Sequence, residues 1–569
     1  MAHLIQETSM PQGTSDPQLS PFQIARALQA QGQLTQAKAA YEDIVKQDAG
    51  HFEVLHMLGI VNVQLGHLES AVDLICRAIE INPQSDSAYY DLGDAMCKLN
   101  VFEAGVECYD KALAINPQNA QAACDRASAL QVLGRFEEAL ASYDLAIALA
   151  PHYSDAFGFR GNTLLSLGRT EQAIASFDKA IALNPNAVVA FFCRGNAFLS
   201  KENYTDALDS YTKAITLDSN HAPAYSNRSL TLKYLHQIEA SLASSNAAIA
   251  IDPQFADAYW NRALTLLVNG DLAAGFKDYQ WRWQTEKFKK IQRPFPKPMW
   301  LGDTPIKGKT LLIHAEQGFG DTIQFARYAQ LVAQAGGHVI YETEKLLFDL
   351  FKSLKGVGTL IRQGDPLPEF DYSCPVMSLP LAFKTELSTV PAENRYLAAD
   401  ADKLAHWSGV LGPKTQPRIG LVWSGSATHQ DDHNRSLTLQ ALLDALPQGY
   451  QLVSLQKEVR DWDVPALKDT SRIQHFGEKL TSFSDTAALC ELMDLVISVD
   501  TSVAHLSAAL GQPTWVLLPF VPDWRWMLNR QDSPWYPTMR LYRQAAQRDW
   551  SQVLAEVARD LGERLSLVG

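Results

Sequence analysis

Cysteine is scarce in this chain, and what there is forms no pattern: seven in 569 residues, with no Cys-x-x-Cys pair and no repeated spacing. An odd, unpatterned set argues against a disulfide framework or a thiolate metal site and for a reducing compartment. Long apolar runs are missing too; none reaches the ~20 residues that a helix needs to cross a bilayer. Basic charge is in deficit, 49 Lys and Arg against 63 Asp and Glu for a net charge of -14. That balance disfavours broad nucleic-acid or anionic-membrane binding, while leaving room for a local basic phosphate site. Residues 1–20 have neither a basic start nor an apolar core; they read as a disordered lead-in, not a signal peptide. The expected location is cytoplasmic. The length exceeds what one core supports, so two or more domains are expected.

What is present is a clock. Pro83, Pro117, Pro151, Pro185 and Pro253 are separated by multiples of 34 residues, with Ala49 and Ser219 filling vacant places. A small residue keeps the same period at Gly59, Gly93, Ala127, Gly161, Gly195, Ser229 and Ala263, and a second at Ala78, Ala112, Ala146, Ala180, Ala214 and Ala248. A bulky position runs Tyr41, Ile75, Tyr109, Tyr143, Phe177 and Tyr211, lapses at Ser245 and returns at Tyr279. Small residues let two helices approach, the ring fills the space beside them, and the proline ends the second helix. One such unit cannot bury its apolar face alone, so units must stack.

Four positions on one 34-residue period resemble the tetratricopeptide repeat. The resemblance implies an α-solenoid over 21–286, about seven full units with an eighth fading near Trp281 and Trp283, and a groove for a protein or peptide partner. Asn162, Asn196, Asn227 and Asn261 recur beside the small position; they read either as amides that grip a peptide backbone or as a solvated polar face.

The clock stops at Lys287. Residues 287–308 open with five basic residues and three prolines (KFKKIQRPFPKPMW) and read as a semi-rigid linker, with contact to anionic lipid or a phosphorylated substrate as the alternative. Beyond Lys309, short β-rich runs at 310–315, 338–344 and 359–362, then at 418–424, 451–455, 473–476, 495–500, 514–519 and 539–542, alternate with helical segments. Such alternation predicts parallel sheets covered by helices, here two doubly wound lobes over 309–400 and 401–569. Ligands belong at the strand C-terminal ends in the cleft between such lobes.

Four segments sit at expected strand ends. His314 to Asp321 carries Gly318, Gly320 and an acid at a helix start, so Asp321 is either a helix cap or a cleft-facing carboxylate. Trp423, Ser424, Gly425 and Ser426 form a small-residue turn. Arg435 lies beside a helix start, where a cation and free N–H groups suit a diphosphate. Asp500, Thr501 and Ser502 lead from a strand into a helix bearing His505.

The run Asp500-Thr-Ser-Val-Ala-His505, continuing Leu-Ser-Ala-Ala-Leu-Gly-Gln-Pro, together with Gly320-Asp321, resembles the ADP-heptose:lipopolysaccharide heptosyltransferases. The resemblance implies an inverting, metal-independent enzyme of the two-lobed GT-B fold. It casts Asp321 as general base and Gly320, Ser424, Ser426, Arg435, Asp500, Thr501, Ser502 and His505 around a nucleoside diphosphate-sugar. That sugar, carried on ADP or UDP, is a substrate, and no further cofactor is expected. Ser502 stands where the family has glycine, Arg435 where it has lysine, and the first lobe is short, so lipopolysaccharide is not carried over as acceptor. The layout is shared with the protein O-GlcNAc transferases, although their catalytic segments are not seen; a UDP-GlcNAc-dependent protein transferase is one alternative, and a non-catalytic repeat scaffold another. Two further features stand apart. Asp461-Trp-Asp463 matches a short metal-binding pattern of a different transferase fold, and the aromatic stretch 524–536 with Arg525 either stacks on a ligand or packs on the sheet.

Overall fold

The computed structural model describes residues 19–429 and 431–566, so the expected lead-in falls outside them except at its end. There Ser20 caps the first helix, Pro21–Ala30, in a reciprocal pair with Gln23. Eight antiparallel helix pairs follow one another, from Pro21–Ala30 with Leu34–Gln47 to Ala256–Val268 with Leu272–Tyr279. The chain divides into two compact units, one up to Ala224 and one Tyr225–Gly569, and the break falls inside the helix Ala222–Tyr234. The repeats therefore outrun the first unit, and the last two helix pairs fold with the α/β region.

In the first unit the small and bulky positions meet as expected. A Cβ on Gly161 would stand 2.5 Å from the Phe177 ring, and one on Gly195 would stand 2.6 Å from the Tyr211 ring. Two further 34-residue series are visible only in three dimensions. The turn inside each pair needs a left-handed residue, supplied by Gly32, Gly66, Asn100, Gly134, Gly168 and Glu202 in this unit. Arg126, Arg160 and Arg194 each reach both ways along the array. Arg160 donates to Asp144 Oδ1 and Ser176 Oγ at 2.6 Å each, and the other two repeat this with Asp110 and Ser142 and with Asp178 and Ser210. The asparagines serve the array itself where their partners are visible: Asn196 accepts from Tyr211 Oη at 2.7 Å.

The second unit opens with two repeat pairs in which the pattern is modified. Where the ring lapses at Ser245, a buried hydroxyl cluster of Ser229, Ser241, Ser245 and Thr265 takes its place. Asn261 is buried and bonded to Ser226, which removes it from any groove. The left-handed turn position is held by His236, at φ 58°, whose ring stacks on Phe520 with centroids 4.5 Å apart. The expected linker is packed down: Phe288, Trp300 and Ile306 are buried, Arg293 donates to the buried Glu342, and Trp300 N–H bonds Ser373 O at 2.9 Å. Its cations hid apolar anchors spaced among them.

The seam between repeats and sheet is a buried ion pair. Arg282, on the 3-10 turn Gln280–Gln284, donates two hydrogen bonds of 2.7 Å to the Glu316 carboxylate and a third to Ser378 Oγ. One continuous apolar cluster runs from Leu267, Phe276 and Tyr279 of the last repeat into both α/β lobes.

Two all-parallel sheets follow. The first has order β3-β2-β1-β4, from β1 (Thr310–His314), β2 (His338–Thr343), β3 (Thr359–Arg362) and β4 (Tyr372–Pro375); the last is a strand that periodicity did not reveal. The second has order β10-β9-β8-β5-β6-β7, from β5 (Arg418–Val422), β6 (Gln451–Ser454), β7 (Ile473–His475), β8 (Leu495–Val499), β9 (Thr514–Leu518) and β10 (Met539–Arg543). Chain order reverses between β5 and β8, the switch point beyond whose carboxyl ends such sheets open a crevice.

Candidate functional site

β5 and β8 deliver three of the four predicted segments to that switch point. After β5 the chain turns through Trp423, Ser424 and Gly425. A Cβ on Gly425 would lie 2.5 Å from the Arg435 guanidinium, so only glycine lets that cation settle on the turn. Arg435 Nη1 donates to Asp500 O at 2.9 Å, tying the β5 turn to the end of β8. Asp432 sits between Arg435 and a second cation, Arg460, which also donates to Gly425 O at 2.9 Å. Ser424 N–H leans on Gln456 Oε1 while its hydroxyl is buried without a partner; Ser426 is exposed and bonded to Thr428.

Beyond β8, Thr501 opens the helix Ser502–Ala509 without capping it, since its hydroxyl pairs with Ser498 at 3.1 Å. Ala504 N–H turns back to Thr501 O at 3.1 Å, which leaves the N–H groups before it to an incoming acceptor. A cavity of about 190 Å³ opens here, lined among others by Arg435, Asp500, His429, Asp431, Asp523 and Lys233. Burial and the neighbouring Asp523 carboxylate push Asp500 up to about 6. Asp523 itself stays low: burial raises it, but the Arg525 guanidinium at 2.7 Å outweighs that.

The remaining segment arrives from the first sheet. Asp321 is the third residue of the helix Phe319–Phe325, not its cap residue, and its Oδ2 accepts Gly318 N–H at 2.8 Å. Its Oδ1 is ion-paired with Arg525, so the carboxylate does bridge towards the second lobe. Burial raises its pKa and the Arg525 charge opposes the rise. Asp321 does not line the cavity; its connection to it runs through Arg525 to Asp523.

His505 is placed differently from expectation. It is buried, stacked on Trp526 at 5.1 Å, with Nδ1 against Tyr536 Oη at 3.1 Å, and a Cβ on Gly320 would stand 2.9 Å from its Cδ2. Desolvation, helped by Arg525, drives its pKa to about 3. The ring is therefore neutral at physiological pH and cannot meet a phosphate as a cation; it packs the two lobes together. The aromatic stretch packs as well, with Trp524, Trp526, Trp535 and Tyr536 buried. Asp463 is structural: its two oxygens accept from Trp423 Nε1 at 3.0 Å and Leu439 N at 2.8 Å, and the intervening Trp462 is 66% exposed.

Sequence reasoning missed Asp523, Arg460, Lys233 and the hub role of Arg525. None lies at a strand end with a recognisable spacing, and Lys233 comes from the repeats.

Tetratricopeptide-repeat profiles match residues 28–95, 90–154, 161–201 and 188–221. The N-terminal array is made of tetratricopeptide repeats. A curated relative, Protein FlbA of Caulobacter vibrioides, is 24% identical over 318 residues, covering 51% of this chain and 52% of its own length. The chain thus spans about half the length of the curated relative it matches. Similar solved structures include MamA (23% identity, 28% of this chain and 95% of that one, TM-score 0.28). Others are YrrB, described as a TPR protein with an unusual peptide-binding site (25%, 33% and 98%, 0.30), and Pseudomonas aeruginosa pilF (22%, 38% and 99%, 0.34). Tetratricopeptide repeats present surfaces to protein or peptide partners, and no helix among the described residues is long and apolar enough to cross a membrane.

Proposed function

We propose that the α/β region is a GT-B-type glycosyltransferase that takes a sugar from a nucleoside diphosphate donor without a metal, and that the repeats bring it a protein acceptor. The observation that carries this reading is the cavity at the strand-order reversal of the second sheet, lined by Arg435 and by Asp500, the residue that leads from β8 to an uncapped helix start. A diphosphate needs that combination: charge-assisted donors on one side and backbone N–H groups on the other. In the reaction, Asp321 accepts the proton of the acceptor hydroxyl as its oxygen bonds to the anomeric carbon. The bond from that carbon to the diphosphate breaks, and the leaving charge is met by Arg435 and the N–H groups near Ser502. The Arg525 ion pair supports this role by opposing the rise that burial imposes on Asp321.

Calorimetry with ADP and UDP tests the donor site. Arg435→Ala is expected to weaken the bound nucleotide about ten- to a hundredfold, the equivalent of one charge-assisted hydrogen bond at roughly 1.5–3 kcal/mol. Unchanged affinity for the nucleotide that wild type binds would remove Arg435 from the site.

A further inference from the structure

The cavity at the switch point is closed on one side by the repeats, not by the α/β lobes. Lys233, in the last turn of the helix Ala222–Tyr234, lines it together with Arg435 and His429. The other charged groups lining it are already engaged, apart from the buried Asp500 carboxylate, which burial and Asp523 hold at about 6. Asp523 is paired with Arg525, Asp431 accepts from Asn434 Nδ2 at 2.7 Å, and Arg435 is shared between Asp432 and Asp500 O. Lys233 differs. Among the described residues no carboxylate lies within ion-pair distance of it, and its Nζ rests 4.6 Å from the centroid of the Tyr234 ring. A half-buried ammonium without an acidic partner, lining the same cavity as an arginine, carries an unmet demand for an anion. Desolvation lowers Lys233 to about 8, with Asp523 and Asp431 opposing the drop, so it remains mostly protonated near neutrality.

We propose that Lys233 of the repeat array is a phosphate-binding residue of the donor site, contacting the nucleoside diphosphate together with Arg435. The inference rests on the transferase reading above and deepens it. The seventh helix pair then belongs to the substrate site as well as to the scaffold. The stacking of His236 on Phe520, three residues further along, holds that end of the pair against the strand-end loop that follows β9. Lysine suits the position as a compact point charge on a flexible stem, able to follow a phosphate that moves as the sugar leaves.

The test titrates inorganic pyrophosphate, ADP and UDP into the full chain in EDTA, using wild type, Lys233→Met, Lys233→Arg and Arg435→Ala. Lys233→Met is expected to weaken pyrophosphate and the preferred nucleotide about ten- to a hundredfold. Lys233→Arg should stay within a fewfold of wild type, which separates lost charge from lost folding, and equal melting temperatures should confirm that the variants are folded. If Lys233→Met binds like wild type while Arg435→Ala is weakened, the Lys233 assignment is wrong and the transferase reading stands. Wild type that binds none of the three probes overturns both.

Discussion

Arg282→Ala is expected to destabilise the unit Tyr225–Gly569 by about 3–5 kcal/mol, the cost of leaving one member of a buried ion pair without its partner. Arg282 is 0% and Glu316 2% exposed, and the pair is bidentate. After truncation Glu316 retains, among the described residues, only Gln317 Nε2, at 3.0 Å, as a side-chain donor. Domains have roughly 5–15 kcal/mol of stability in total, so such a loss should show as a large fall in the melting temperature of the full chain. Arg282→Lys should recover little, because an ammonium cannot reproduce two parallel bonds to the carboxylate as well as the contacts to Ser378 and Tyr279 O. Replacing both partners with apolar residues, Arg282→Met with Glu316→Leu, should recover most of the loss. A single variant within about 1 kcal/mol of wild type, the range of an exposed pair, would show that the seam is not held by this pair.

Asp321→Asn should act on rate and leave the fold in place. The amide is nearly isosteric and its oxygen can still accept Gly318 N–H, while Arg525 keeps its second carboxylate, Asp523. What disappears is the capacity to take a proton. Transfer should fall by about 10²–10⁴-fold, with nucleotide affinity close to wild type, because the base acts on the acceptor and not on the donor. Wild-type activity should decline on the acid side at a higher pH than an ordinary aspartate would give, since burial raises Asp321 and only the deprotonated form is a base. Wild-type turnover in Asp321→Asn would reduce that carboxylate to a helix-start contact and an ion pair.

Much of the fold was legible because it depends on local periodicity. The 34-residue series of small and bulky residues marked the repeats, and the β-rich runs located nine of the ten strands, all but β4. β4 is short and follows a Pro-rich loop, so little alternation betrays it. The packed state of 287–308 was hidden because cations and prolines dominate its composition, while Phe288, Trp300 and Ile306 decide its energetics. At the site, two residues singled out in the sequence lie in contact: Arg435, which ends the short helix Asp432–Arg435 beyond β5, and Asp500, which directly follows β8. Sequence reasoning misjudged the state of His505. A ring on the first turns of a helix looks available in sequence, and only the enclosing Trp526, Tyr536 and Gly320 reveal that it is desolvated and neutral. Lys233 was out of reach for another reason: His429 and Arg435, which line the cavity with it, lie far along the chain, and no motif links a repeat helix to a strand end.

The most direct measurement is nucleoside diphosphate release by the full chain from a panel of ADP- and UDP-sugars in the presence of EDTA. The transferase account predicts release above the uncatalysed rate from donors of one nucleotide, slow with water alone and lost in Arg435→Ala. Absence of release across the panel, or release that appears only when a divalent metal is restored, would contradict it.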